Sequence, residues 1–295
     1  MKNMYIRWTS RGFFSELTIL MLAKLYSEIT NSNLYVDFSN NNIGSKNLNP
    51  YINIDVNELT IPILRRRSYW DHRTIQNKLI DFFVNLYYFN STGFMSHDIL
   101  FKKIWNKNFE KELLDNFKID REYISKYFLS NWILSNNVKK RVKEIEDRNK
   151  MPSNYYSFHI RRGDKLKSES NLVNIEKYFQ KLNFKEKRLS VIFIATDDIA
   201  SISEVDNYLK KNKMAKKIKV VTNKNIGSGH NQSDFNIKSN KFKSELIVDL
   251  LAEVEIIRKS SFFVGSYTSN ISRYIYLLRN GVDSFSVDNE FSLYY

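Results

Sequence analysis

The sequence predicts an α/β protein whose second half is a doubly wound parallel sheet. Three observations carry this. From Tyr155 onward, short apolar runs alternate with helical segments at the spacing of βαβ units. The first forty residues run strand, glycine turn, helix, strand, which is a βαβ beginning. A helix-rich stretch lies between, and Met151-Pro152-Ser153 breaks it. The chain therefore divides into a first lobe over 1–150 and a second over 151–295.

In order, Met4 to Trp8 predicts a strand, Thr9-Ser10-Arg11-Gly12 a turn and Phe13 to Ile29 a helix. Leu17, Leu20, Met21, Leu25 and Ile29 fall mostly on one stripe, which Lys24 interrupts. Leu34 to Phe38 is a second strand, and the Asn-rich stretch Ser39 to Leu48 a surface loop. The helix start past Gly12 suits an anion or an acceptor. With a single glycine, plain strand-to-helix geometry is favoured. From Thr74 to Arg148 the pattern is helical. Leu79, Phe82, Phe83, Leu86 and Tyr87 share one face, and Phe101, Ile104, Trp105 and Phe109 another. A further helix runs from Asp120 towards Ile133, and Asn136 to Asn149 is a charged, solvated one. Arg65-Arg66-Arg67 is a wet charge run or a phosphate contact. In the second half the strands are Tyr155–Ile160, Leu189–Ala195, Ile218–Val221 and Phe262–Val264. The helices are Ile175–Leu182, Ala200–Lys211, Phe242–Ile257 and Asn270–Leu278, with a polar loop over 223–240 carrying Gly227 and Gly229.

With 42% hydrophobic and 15% aromatic residues, the 295-residue chain is globular and not disordered. Lys and Arg number 46 against 32 Asp and Glu, a net charge of +14. This favours anionic partners: nucleic acid, nucleotide phosphates, anionic lipid headgroups or acidic glycans. The absence of cysteine excludes disulfides and thiolate metal sites, and fits a reducing compartment. No apolar run reaches the ~18 uncharged residues of a membrane span, and the amino terminus lacks a signal-peptide core. The expectation is a soluble, cytosolic (cytoplasmic) protein, with peripheral membrane contact through its basic surface left open.

Three polar clusters stand at strand ends of the second half, where open α/β sheets present ligand-binding groups. The first is His159-Ile160-Arg161-Arg162-Gly163-Asp164-Lys165. Its adjacent guanidiniums suit phosphate, or are solvated charges beside a turn. The second is Ala195-Thr196-Asp197-Asp198. Its carboxylates could hold a divalent cation, but capping the next helix is favoured, since Arg161, Arg162 and Lys165 already supply positive charge. The third combines Asp249, inside an apolar helix, with Gly265-Ser266-Tyr267-Thr268-Ser269-Asn270. That stretch can cap the last helix while its amides face an anion.

Together and in this order the clusters resemble the three motifs of the α-1,6-fucosyltransferases. That group joins animal core-fucosylating and rhizobial nodulation enzymes and sits near the protein O-fucosyltransferases. His159, Arg161, Arg162, Asp164 and Lys165 match the first motif, His-x-Arg-Arg-x-Asp-Lys. Ala195 to Asp198 match the second. Asp249, Phe262-Phe263-Val264, Ser269, Asn270 and Arg273 match the third. The resemblance covers residues 154–280. It implies a GT-B-like fold with a Rossmann-like carboxyl-terminal lobe that binds GDP-fucose. It implies an inverting glycosyltransferase that needs no cofactor and no metal, and an oligosaccharide or glycolipid acceptor. In this likeness His159 and Asp249 would recognise guanine. Arg161 would hold the β-phosphate with Arg162 and Ser269 in support, and Asp164, Lys165, Asp197 and Asp198 would shape the donor site. Ser266 and Arg273 would belong to the same pocket. Glu169 lies four residues after the motif lysine, where the animal enzymes carry a candidate base; its alternative is an exposed loop glutamate. Gly163 and Asn270 depart from the animal threonine and glutamine. The anchor, stem and SH3-like extension of the animal enzymes find no counterpart, which favours a bacterial or viral enzyme. Two alternatives stand beside this one. The first is a glycosyltransferase using another nucleotide sugar. The second is a non-catalytic, basic nucleic-acid or polyanion-binding protein, for which no nucleic-acid motif is found.

Overall fold

The computed structural model describes residues 2–39, 41–59, 86, 94–162, 173–182, 190–223 and 229–293. They form two compact units, residues 1–133 with 239–244, and residues 134–238 with 245–293. The helix Asn136–Asn149 thus groups with the second unit, ahead of the break at Met151.

In the first unit, β1 (Lys2–Arg7), β2 (Ser32–Asp37) and β3 (Asn57–Leu59) form a parallel sheet in the order β1-β2-β3. Helix Phe13–Ile29 makes the crossover from β1 to β2 with the bounds expected from sequence. It differs in burial. Phe13 to Ala23 are buried on every side, so a single stripe understates the core this helix fills. The turn before it is closed by the chain's own carboxylate. Buried Glu16 accepts the Thr9 N–H at 3.0 Å, the Thr9 hydroxyl at 2.6 Å and Arg11 Nε at 2.6 Å. The Asn-rich loop is less superficial than its composition suggests. Ile43 is buried, and buried Asn42 donates from Nδ2 to the Ser10 carbonyl at 2.9 Å.

The face expected to join Phe101 to Phe109 is split between two helices, His97–Ile104 and Phe109–Phe117. Asn106 breaks it: its side-chain oxygen accepts the Asn108 N–H at 2.9 Å, a local bond that competes with helix continuation. Helix Arg121–Ser130 begins at Asp120, whose side chain accepts the Tyr123 N–H at 2.8 Å, and stops before Ile133. Leu79, Phe82, Phe83, Tyr87 and Arg65-Arg66-Arg67 lie outside the described residues.

The second unit holds β4 (Tyr156–Ile160), β5 (Val191–Thr196), β6 (Lys219–Thr222), β7 (Phe262–Gly265) and β8 (Ser284–Ser286). All five are parallel, in the order β6-β5-β4-β7-β8. Every residue of β4 is buried, as a central parallel strand requires. On one face Tyr156, Phe158, Ile160, Ile192, Ile194 and Val264 pack against helices Ile175–Leu182 and Ala200–Lys211. A buried side chain of this size contributes about 1.5–3 kcal/mol. The other face of β4 presents Ser157 and His159, and Ser157 meets the Ser260 hydroxyl at 2.6 Å. Helix Asn240–Lys259 leads into β7, and Arg279 caps its end. The guanidinium donates to the carbonyls of Arg258 (2.9 Å), Ser260 (2.6 Å) and Ile257 (3.2 Å). Strand β8 and the short helix Gln232–Ile237 are additions to the sequence-based order. Among the described residues, no helix is long and apolar enough to cross a membrane.

Candidate functional site

The order of the second sheet fixes where a ligand crevice belongs. From β4 the chain steps outward to β5 and β6, then returns to lay β7 on the other side of β4 and β8 beyond it. The direction reverses between β4 and β7, and ligands of such sheets bind outside the carboxyl ends at that point. The three sequence clusters are carried there by β4, β5 and β7.

At the end of β4, alternation sends successive side chains to opposite faces and separates the two arginines. Arg162 is buried, and its guanidinium donates to the Val173 carbonyl at 2.9 Å and to Glu204 Oε2 at 2.8 Å. It braces the strand end against helix Ala200–Lys211. Arg161 points the other way and pairs through NH1 with Asp197 Oδ2 at 2.5 Å. His159 is buried two residues earlier, its Nδ1 at 2.7 Å from the Ser272 hydroxyl.

Asp197, just past β5, gathers this end of the sheet. Besides Arg161 it accepts the Arg162 N–H at 2.8 Å and the His230 N–H at 3.2 Å, and its carbonyl accepts the Gly229 N–H at 2.7 Å. Burial pulls the Asp197 carboxyl up. The Arg161 charge and the two N–H donors outweigh that and hold it below the usual carboxylate range. Asp198 takes the helix-start role expected of the pair, accepting the Ala200 N–H at 3.1 Å.

Gly265 ends β7 opposite His159. A Cβ there would lie 2.5 Å from Ser272 Oγ and 2.6 Å from the Phe263 ring, so glycine lets helix Asn270–Leu278 approach closely enough for the His159–Ser272 bond. The Ser266–Thr268 turn already holds an anion of its own. Asp288 accepts the Tyr267 N–H at 2.8 Å, the Thr268 hydroxyl at 2.9 Å and the Ser266 hydroxyl. Ser269 is the buried N-cap residue, and Arg273 bonds Asn270 within the helix.

Asp249 is buried and ion-paired with Arg141 of helix Asn136–Asn149. One turn later, Glu253 faces the same region. Burial pushes its carboxyl up to about 8; the neighbouring Asn223 side chain opposes the rise, and the Asp249 and Asp197 charges add to it. Glu253, Arg141, Ser272, His230 and Asp288 were missed in sequence. The four-residue spacing of Asp249 and Glu253, within the apolar stretch Leu246–Val254 of the helix, was a usable signal for one of them. Asp164, Lys165 and Glu169, with Gly163, lie outside the described residues. The structure thus brings together His159, Arg161, Asp197, Asp249 and Glu253 near the switch point, and turns Arg162 away. A guanidinium held on a carboxylate beside a sheet crevice is suited to receiving phosphate oxygens.

No family model matches the sequence, and no curated protein matches it. Solved structures do share its fold. Fucosyltransferase NodZ from Bradyrhizobium superposes with a TM-score of 0.57 at 14% identity, over 94% of this chain and 92% of that one. Arabidopsis thaliana FUT1 in complex with GDP gives 0.56 at 11% identity, over 99% and 71%. POFUT1 in complex with GDP gives 0.54 at 11% identity, over 98% of both chains. The fucosyltransferase likeness expected from the motifs is therefore met at the level of fold, and the chain has the Rossmann-like, GT-B type of α/β architecture seen in these enzymes.

Proposed function

We propose that the protein is a glycosyltransferase that moves fucose from GDP-fucose to a hydroxyl of a glycan or glycolipid, in the cytoplasm, with inversion and without a metal. One observation carries this: Arg161, held by Asp197, stands at the switch point of a fold shared with fucosyltransferases crystallised with GDP and with GDP-fucose. In the reaction the bond from the sugar C1 to the diphosphate breaks and GDP leaves with the electron pair. The acceptor oxygen bonds C1 from the opposite face, and its proton passes to a base, for which Glu169 is the candidate. The sugar becomes oxocarbenium-like, as in glycoside hydrolysis. Arg161 stabilises charge growing on the departing diphosphate, with Lys165 as a second cation. His159 and Asp249 face the guanine. Asp164, Asp197 and Asp198 shape the pocket, Arg162 braces the strand end that carries Arg161, and Ser266, Ser269, Asn270 and Arg273 form its β7 side.

A donor screen with GDP-fucose, GDP-mannose and UDP-sugars tests this. GDP should raise the melting temperature equally with and without a chelator, and GDP-fucose alone should be turned over. Arg161→Ala should lower turnover by about 10²–10³-fold, as loss of a charge-stabilising donor does. Near-normal turnover in that variant, or a GDP effect that needs a divalent cation, would overturn the mechanism.

A further inference from the structure

The most concentrated charge on the molecule is unrelated to the crevice. Six of the ten residues from Lys210 to Lys219 are lysine, and no acidic residue stands between Asp206 and Asp234. All six lysines are exposed. They occupy the end of helix Ala200–Lys211 and the turn into edge strand β6, at the amino end of the sheet and so opposite the carboxyl-end crevice.

The turn is rigid. Met214 N–H bonds the Leu209 carbonyl at 2.8 Å, Lys213 N–H the Lys210 carbonyl at 3.1 Å, and Lys217 N–H the Met214 carbonyl at 2.9 Å. Lys213 sits at φ 59°, the left-handed position after a helix where glycine or asparagine costs least. Lys210 and Lys211 favour the helix carboxyl terminus, which accounts for those two alone. Lys219 donates to the Asn149 carbonyl at 2.7 Å, which brings exposed Lys150 to the same edge, with Asp147 as the acid beside it.

We propose that this lysine turn is a docking surface for an anionic phospholipid bilayer. Four to eight clustered basic side chains are enough to hold a protein on anionic headgroups. Lysine, a compact point charge, suits headgroups without a fixed fork geometry. Nucleic acid is disfavoured because the neighbouring aromatic is turned inward: the Tyr208 ring stacks on Phe179 at 4.1 Å and offers no platform for a base. This inference is independent of the donor assignment.

The test is co-sedimentation of the whole protein with phosphatidylcholine vesicles containing about one third phosphatidylglycerol, against phosphatidylcholine alone. Retention should be confined to the anionic vesicles. It should vanish as salt shortens the Debye length from about 10 Å at 0.1 M to about 3 Å at 1 M. The variant Lys210→Glu/Lys213→Glu/Lys216→Glu/Lys217→Glu should lose at least about a hundredfold in partitioning. Its melting temperature should fall by no more than about 4 °C, since these side chains are exposed and only Lys210 stands in the last turn of a helix. The variant Lys102→Glu/Lys107→Glu/Lys111→Glu/Lys118→Glu lowers the net charge equally, from +14 to +6 at two units per substitution, and should retain binding. Equal loss in both variants would reduce the effect to net charge and overturn the proposal. So would tight binding to duplex DNA or single-stranded RNA with no retention on anionic vesicles.

Discussion

Replacing Asp197 with asparagine keeps the shape of the side chain and removes one acceptor and the charge. If the amide oxygen stays on the Arg161 and His230 side, its NH₂ faces the Arg162 N–H, which then loses its partner. The reverse orientation sets the NH₂ against both Arg161 and the His230 N–H. The first orientation costs less. Orphaning a largely buried N–H costs about 1–3 kcal/mol, and weakening the Arg161 contact from charge-assisted to neutral costs about 1 kcal/mol more. Asp197→Asn should therefore destabilise the second unit by about 2–4 kcal/mol at neutral pH, within a typical stability of about 5–15 kcal/mol. The pH dependence is specific. Because folding depresses the Asp197 pKa, its contribution is complete above the unfolded value of about 3.9 and is lost as pH falls through the folded one. In urea unfolding the gap between wild type and Asp197→Asn should be wide at pH 7 and close in acid. A gap below about 1 kcal/mol at neutral pH, or one that persists unchanged in acid, would refute the hub role.

Gly265→Ala should lower stability by about 1–3 kcal/mol, because its methyl would overlap Ser272 Oγ and the Phe263 ring; a melting curve like that of wild type would show that helix Asn270–Leu278 can retreat without cost. Glu253→Gln should gain stability relative to wild type as pH rises from about 5 to about 9. Folding raises the Glu253 pKa to about 8, so its contribution, complete below about 4.3, is lost on the way up. A constant difference between the two proteins across that range would mean that the carboxyl is solvated.

Patterns of period and punctuation were legible. The helices Phe13–Ile29, Ile175–Leu182, Ala200–Lys211 and Asn270–Leu278 have the bounds that apolar spacing gives them. Strand β8 was not legible, because Ser284-Phe285-Ser286 has one apolar residue and gains its place only by pairing with β7. Asp288 was hidden with it, since its partners lie some twenty residues earlier. At the site, alternation along β4 is readable and separates Arg161 from Arg162, whereas their adjacency in sequence suggests one pocket. What one strand cannot reveal is which face its neighbours fill, and here Glu204 and Val173 fill the Arg162 side. At the turn before Phe13 the structure agrees with the favoured strand-to-helix geometry, and adds that an acid in the first helical turn closes the loop.

The reversal in strand order has a consequence for biosynthesis. Strand β4 pairs with β7, whose first residue follows the end of β4 by 102 positions. The wall formed by β4 and β5 is made early, but the crevice has no second side until β7 and helix Asn270–Leu278 have left the ribosome. Such distant pairing is slow to form. A nascent chain therefore leaves the β7 edge of β4, a row of unpaired backbone N–H and C=O groups, open for the whole interval. Chaperone demand should fall when β7 docks.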